Sequence, residues 1–400
     1  MLRRISVVTT VLVLVCGQAR AFHQITPTLV QITPASGAGT ITSQQWAGIR
    51  YVLFDADADL LDDGTTGRQI YLFDLLERDL DHSLGLIRLT TGAGNPQRAT
   101  TGKLANVVVY DAQSGGTGPR QLFVFDRRRG DRYALTQGSA DSVNAHMDNS
   151  SRVVVFESSA DFFGTGPAGT QIYEIDLRRI APSCPFPCAA TSNAGLTQIT
   201  HGDGDSRNPV TSTSGKLLAF ESDADLAGTG EQATQVYSYD GKTGSLRALG
   251  HGPGASRRPS MSLNGGWIAF ESDTDLLGNG TMGTQIFAWK RNQSAPRQIS
   301  DRPIGHSHAP SMSANGHALT FVSSDDLLSS GSTGPEAFSY DLHRGSLIQI
   351  TDGQNVVSTA AYAEGVFVTF LSDGDLLSNG TSAVALYLTN LFALGADTIP

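Results

Sequence analysis

Apolar residues in this chain come in short runs of four to six, rich in β-branched and aromatic side chains, and each run stops at a cluster of Gly, Ser, Asp or Asn. Runs of that length and composition, cut by turn formers, predict short antiparallel strands. The pattern is also periodic. An aromatic closes one run in every copy, at Phe54, Tyr110, Phe156, Phe220, Phe270, Phe321 and Phe370, with spacings of 56, 46, 64, 50, 51 and 49 residues. Around the anchor the middle copies read alike, as in Phe220-Glu221-Ser222-Asp223-Ala224-Asp225-Leu226 and Phe270-Glu271-Ser272-Asp273-Thr274-Asp275-Leu276.

Each copy holds four such runs. In the fourth they span Pro209 to Ser212, Lys216 to Phe220, Gln235 to Tyr239 and Ser245 to Leu249, labelled strands a to d from the centre outward. Strand c repeats a Gln-aliphatic-aromatic string at Gln69-Ile70-Tyr71, Gln121-Leu122-Phe123, Gln171-Ile172-Tyr173, Gln235-Val236-Tyr237 and Gln285-Ile286-Phe287. An Asp follows at Asp74, Asp126, Asp176, Asp240 and Asp341. The aromatic is expected to pack between units, and the Asp to start the next turn by bonding its own backbone. Four-stranded units at a period near 50 predict an all-β, seven-bladed β-propeller over residues 22–400.

The ends of the chain predict how the ring closes. Strand d reads Leu196-Thr197-Gln198-Ile199-Thr200 and Leu347-Ile348-Gln349-Ile350-Thr351, and a matching string, Leu29-Val30-Gln31-Ile32-Thr33, precedes the first unit. The last unit stops after Leu386-Tyr387-Leu388. The N-terminal segment is therefore expected to supply the outer strand of the seventh blade, which removes two open sheet edges.

These strings together, the Phe-Glu-Ser-Asp turn, the Gln-Ile-Tyr strand and the Gln-Ile-Thr end, resemble the WD40-like repeats of TolB-type exported propellers. The resemblance covers about Leu29 to Leu388 and implies the fold, without the additional N-terminal domain of TolB. Similar propellers cap serine peptidases or form polysaccharide lyases, so the resemblance leaves the activity open.

Composition narrows the setting. Arg3 and Arg4, an apolar run from Val7 to Val15, and Ala19-Arg20-Ala21 have the order of a secretory signal over residues 1–21, which predicts an exported protein, periplasmic or secreted. Loss of that segment removes Arg3, Arg4 and Arg20 and no acid, taking the formal charge from -10 to -13. An acidic chain without clustered cations argues against nucleic-acid binding. No stretch reaches the ~20 apolar residues of a membrane helix. Cys184 and Cys188 are expected to form a small disulfide in an oxidising compartment.

Candidate chemistry lies before the proline of strand a. Arg207, Arg257 and His308 stand two residues before Pro209, Pro259 and Pro310, followed by Asn208, Arg258 and Ala309; Arg98 and Asn144 occupy the later position in the second and third copies, and His306 is adjacent. Read as loop residues, they form a basic mouth suited to a carboxylate or sulfate. Alternatively they bond neighbouring loop carbonyls or acids. His306 and His308 do not find a third metal ligand, and no cofactor is expected apart from a possible calcium at Asp55, Asp57, Asp59, Asp62 and Asp63. The recurring Asp at Asp59, Asp161, Asp225, Asp275, Asp326 and Asp375 reads more simply as a turn former. Asn149, Asn279, Asn292 and Asn379 begin glycosylation sequons. The leading expectation is a non-catalytic scaffold that binds a protein, peptide or glycan, with an anionic glycan or peptide as the mouth ligand. The alternative is a lyase or hydrolase of acidic saccharides, with His306 or His308 carrying the proton.

Overall fold

The structure is a computed structural model that describes residues 29–33, 39–48, 50–78, 84–166, 169–179, 195–230, 232–351, 356–361, 367–378 and 384–390. The expected export signal, the Cys184 and Cys188 pair and Asn379 lie outside the described residues. Among the described residues there is no α-helix, and no helix long and apolar enough to cross a membrane.

The strands group into seven antiparallel units of four. Blade one is Gln44–Ala47, Tyr51–Ala56, Gln69–Arg78 and Leu84–Arg88; blade four is Ser206–Thr211, Leu217–Ser222, Gln235–Asp240 and Ser245–Ala248. Strand a of each blade touches strand a of the next, and strand a of blade seven, Val356–Ala361, touches that of blade one, so the units form a ring around an axis. Blade two, whose acids are sparse in sequence, keeps all four strands from Gln97–Thr101 to Asp131–Ala134.

Burial explains the periodic aromatics. All seven anchors stack on the strand c aromatic of the same blade, with centroids 5.6–5.9 Å apart. Each pair packs against a neighbouring blade, as Phe156 and Tyr173 do on Val109, Leu122 and Val124 of blade two. The strand c Gln ties the blade inside: Gln171 Oε1 accepts from Thr200 Oγ1 at 2.8 Å while its amide donates to the carbonyls of Gly202 and Gly204. The turn-starting Asp also performs as expected in four copies, where Asp126, Asp176, Asp240 and Asp341 accept from amides two or three residues on. Asp74 instead takes Arg50 in a two-pronged ion pair.

The N-terminal strand closes blade seven. Val30–Gln31 pairs antiparallel with Ala385–Asn390, Val30 opposite Leu388 and Gln31 opposite Tyr387. Thr33 Oγ1 accepts from the Leu386 amide at 3.1 Å, the same bond that Thr90 and Thr200 make to Ile70 and Ile172 inside their blades. Ile32, 2% exposed, packs with Val52 and Phe54 of blade one and Leu371, Leu386 and Leu388 of blade seven. Between blades five and six, strand c of blade five, Met282–Lys290, runs long. Its first residues pair in parallel with Ile304–Met312, strand a of blade six, and join two blades into one eight-stranded sheet.

Candidate functional site

Strand a carries the mouth residues, and it begins earlier than the sequence suggests. Ser206–Thr211 contains Arg207 and Asn208, which were expected in a loop ahead of Pro209. The polar Ser-Arg-Asn stretch resembles a loop in composition, yet Ser206 Oγ bonds Ser222 Oγ at 3.0 Å and Arg207 pairs with Glu221 across the ladder. Between Arg207 and Val210 the ladder slips by a bulge. Pro209, which has no amide to donate, sits inside that bulge.

The bulge recurs in blades two to six, and its first residue is left-handed each time: Arg98 (φ 51), Asn144 (φ 50), Asn208 (φ 51), Arg258 (φ 52) and Ala309 (φ 54). A non-glycine residue there costs on the order of 1–2 kcal/mol. The compensation comes from the neighbouring blade. The amides of Asn208, Arg258 and Ala309 donate to Glu157, Glu221 and Glu271 of the preceding blade at 2.6, 2.9 and 2.9 Å. The second oxygen, or the same one, receives the side chain of that blade's own bulge residue: Asn144 on Glu157 at 2.8 Å, Asn208 on Glu221 at 2.6 Å, Arg258 on Glu271 at 3.4 Å. Arg98 grips Asp111 with two bonds of 2.8 and 2.9 Å, and Arg120 adds a third.

The result is a collar of carboxylates, Asp55, Asp111, Glu157, Glu221 and Glu271, on blades one to five. Val322 and Leu371 stand at the same ladder position of blades six and seven, so the collar gives way to an apolar sector. Burial pushes the carboxyls of Glu157 and Glu271 above their usual range, against the pull of their hydrogen bonds. One residue past the bulge, His146 Nδ1 accepts from the Thr211 amide of blade four at 3.3 Å, and burial lowers the pKa of its ring to about 4. Thr100 and Ser260 make the same rung to Met147 and Met312.

All eight expected ligand residues face this collar or its rim. Arg98, Asn144, Asn208 and Arg258 are collar members. Arg207 and Arg257, each about half exposed, pair with Asp205 and Asp273, the latter at 3.5 Å. His306 Nδ1 lies 3.2 Å from Asp325 Oδ1. His308 has its pKa lowered by burial and by the Arg258 charge, which keeps the ring neutral. Sequence reasoning missed Glu157, Glu221 and Glu271 as partners of the bulge; the Glu aligned after the anchors Phe156, Phe220 and Phe270 is the signal that could have found them.

Around the rim, an Asp before Leu or Phe organises the b-to-c loops of blades three to six. Asp161, Asp225, Asp275 and Asp326 accept from amides four and five residues on, as in Asn279 and Gly280 on Asp275 at 3.0 and 2.7 Å. Those bonds hold the four carboxyls below their usual range. Among the described residues no three of His, Cys, Asp and Glu converge as a metal set.

Solved structures with this arrangement are found. An oligogalacturonate lyase from Vibrio parahaemolyticus overlays at a TM-score of 0.59, with 13% identity, over 92% of this chain and 97% of its own. The β-propeller domain of the Trilobed protease from Pyrococcus furiosus overlays at 0.57, with 10% identity, over 89% and 94%. The chain is a β-propeller. A second oligogalacturonate lyase structure, in complex with manganese, overlays on this propeller at 0.56, with 13% identity, over 92% and 96%. TolB from Acinetobacter baumannii aligns less closely, at 0.43. At these identities the likeness is one of fold. No protein-family model matches the propeller, and no curated protein does.

Proposed function

We propose that this propeller is an exported, non-catalytic scaffold that binds a protein or peptide partner on the face formed by its b-to-c and d-to-a loops. The saturation of the collar carries this reading. The Arg groups that would clamp an acidic substrate already hold carboxylates: Arg98 on Asp111, Arg207 on Asp205, Arg257 on Asp273 and Arg258 on Glu271. Releasing Arg207, Arg257 or Arg258 for a ligand carboxylate would leave its acid without that cation, at a modest cost because these arginines are about half exposed, and releasing Arg98 would leave the buried Asp111 with Arg120 alone. Such a surface suits a partner that offers both donors and acceptors, engaging pairs without breaking them.

A lyase reading is the alternative. It is favoured by the overlay on two oligogalacturonate lyases and by His308, whose neutral ring has the form a general base needs. In that chemistry the base removes a proton from the carbon next to the uronate carboxylate, and the glycosidic C–O bond on the adjacent carbon breaks to leave a double bond. The test is ultraviolet detection of unsaturated uronate after incubation with oligogalacturonate, with and without added manganese. The scaffold reading expects no product from wild-type protein. Product formation that His308→Ala abolishes would overturn it.

A further inference from the structure

The b-to-c loops place apolar side chains in solvent at a repeated position, the residue two after the amide-bound Asp. Leu61, Leu277, Leu328 and Leu377 occupy it on blades one, five, six and seven, and Met282 and Ile304 add to it where blades five and six join. These six are between 39 and 61% exposed. Blades five, six, seven and one are consecutive around the closed ring, so the residues form an arc, and it lies over the sector where Val322 and Leu371 interrupt the collar. Phe163 on blade three is separate from it, because blade four has Ala227 at that position.

The loops that carry the arc are braced. On blade five, Leu277 is followed by left-handed Gly278 and by Gly280, whose amide Asp275 holds; on blade six, Leu328 is followed by left-handed Ser329 and by Gly331, held by Asp326. Rigid tips lose little freedom when a partner covers them. Charge decides what that partner is. The segments 271–284, 322–335, 371–384 and 55–68 contain twelve Asp or Glu and one Arg, Arg68, which is itself tied to Asp55 and Asp57; Arg88, Arg257 and Arg258 reach in from adjacent strands to Asp63, Asp273 and Glu271, and acids remain in excess. An apolar arc within an acidic field repels anionic surfaces and attracts cationic ones.

We infer that the arc formed by Leu61, Leu277, Met282, Ile304, Leu328 and Leu377 docks a cationic amphipathic segment of a protein partner. This rests on the partner-binding reading above and gives that partner its chemistry. Apolar side chains of the segment cover the leucines, and Lys or Arg beside them face the loop aspartates.

The probe is a fluorescent amphipathic peptide built from Leu and Lys, with a Leu and Glu peptide of the same pattern as its counterpart, titrated by anisotropy against the full chain. The Leu/Lys peptide is expected to bind at least about tenfold more tightly, and Leu277→Ser/Leu328→Ser/Leu377→Ser to weaken it by about tenfold or more with unchanged melting, because the replaced side chains are exposed. A triple variant that binds like wild type would show that charge alone attracts the peptide, and would overturn the arc. So would equal affinity for the two peptides, preferential binding to phosphatidylcholine or phosphatidylglycerol vesicles, or a wild-type dimer in sedimentation that the variant dissolves. Turnover of oligogalacturonate would defeat the non-catalytic reading and leave this titration untouched, so the two failures are distinguishable.

Discussion

Replacing Ile32 by Ala tests how much of the ring's stability resides in its N-terminal strand. The side chain is 2% exposed and packs on both blade one and blade seven. Truncating a buried Ile to Ala removes transfer energy and leaves a cavity, about 2–4 kcal/mol at a site lined by Val52, Phe54, Leu386 and Leu388. Unfolding entropy near 2.1 cal/mol/K per residue gives a chain of this size on the order of 0.8 kcal/mol/K, so the melting point should fall by about 3–5 °C. Deleting residues 22–33 goes further. It removes the Ile32 burial, the Ile32 amide bond to Leu386 at 2.8 Å, the Thr33 bond and the Val30–Gln31 ladder. At about 1 kcal/mol per hydrogen bond the total is roughly 6 kcal/mol, comparable with the whole stability of many domains. Urea titration followed by fluorescence reads both variants. Appending residues 22–33 after Pro400 in the deletion should recover most of the loss, since the strand can reach its groove from the other end. The closure argument is refuted if Ile32→Ala is no more destabilising than Leu61→Ala at an exposed tip, or if the deletion unfolds at the wild-type midpoint.

Three further outcomes are expected. The lowered pKa of His146 means the unfolded chain takes up a proton between about pH 6.5 and pH 4 that the folded chain refuses, so stability should decline as pH falls through that window; His146→Gln should flatten the decline, whose upper limit is roughly 3 kcal/mol from the size of the shift and is lowered by the partial burial of the residue. Asp275→Ala should speed hydrogen exchange at the Asn279 and Gly280 amides while leaving the strand amides of blade five protected, and uniform exchange across the blade would contradict the local role given to this carboxylate. Gly215→Ala should cost about 2 kcal/mol or more by urea titration, because φ is +69 there and a methyl group would stand 2.7 Å from Val153 Cγ2; a cost below about 0.5 kcal/mol would mean that blades three and four yield easily.

The ring was largely legible in the sequence because its determinants are local and repeated. An aromatic ends each strand b, a Gln-aliphatic-aromatic string marks strand c, and the Thr of each Gln-Ile-Thr string bonds back into its own blade. Thr33 could be assigned to blade seven for the same reason, although its partner Leu386 is remote in sequence. The collar was less legible because its bonds join neighbouring blades. The Asn208 amide and Glu157 are in adjacent copies, and nothing in either copy alone marks the bulge that turns the amide toward the carboxylate. The same gap made Arg207 and Arg257 resemble a free basic mouth, since Asp205 and Asp273 sit in turns whose direction a strand pattern does not give. The Asp before Leu was legible as a turn former, whereas the exposure of Leu277 and Leu328 depended on how Asp275 and Asp326 bend the backbone beneath them.

The pairing of Val30–Gln31 with Ala385–Asn390 also sets how the molecule would respond to force. Val30 enters its strand opposite Leu388, two residues before that strand ends at Asn390, so a pull on the two ends acts at one end of a short antiparallel pair. Tension then opens the ladder bond by bond, like a zipper, instead of shearing all its bonds at once. Blades five and six, welded by the parallel pairing of Met282 and Ile304, hold no part of the N-terminal strand. A tethered molecule should therefore yield first by releasing its N-terminal strand, at low force, with most of the ring still folded.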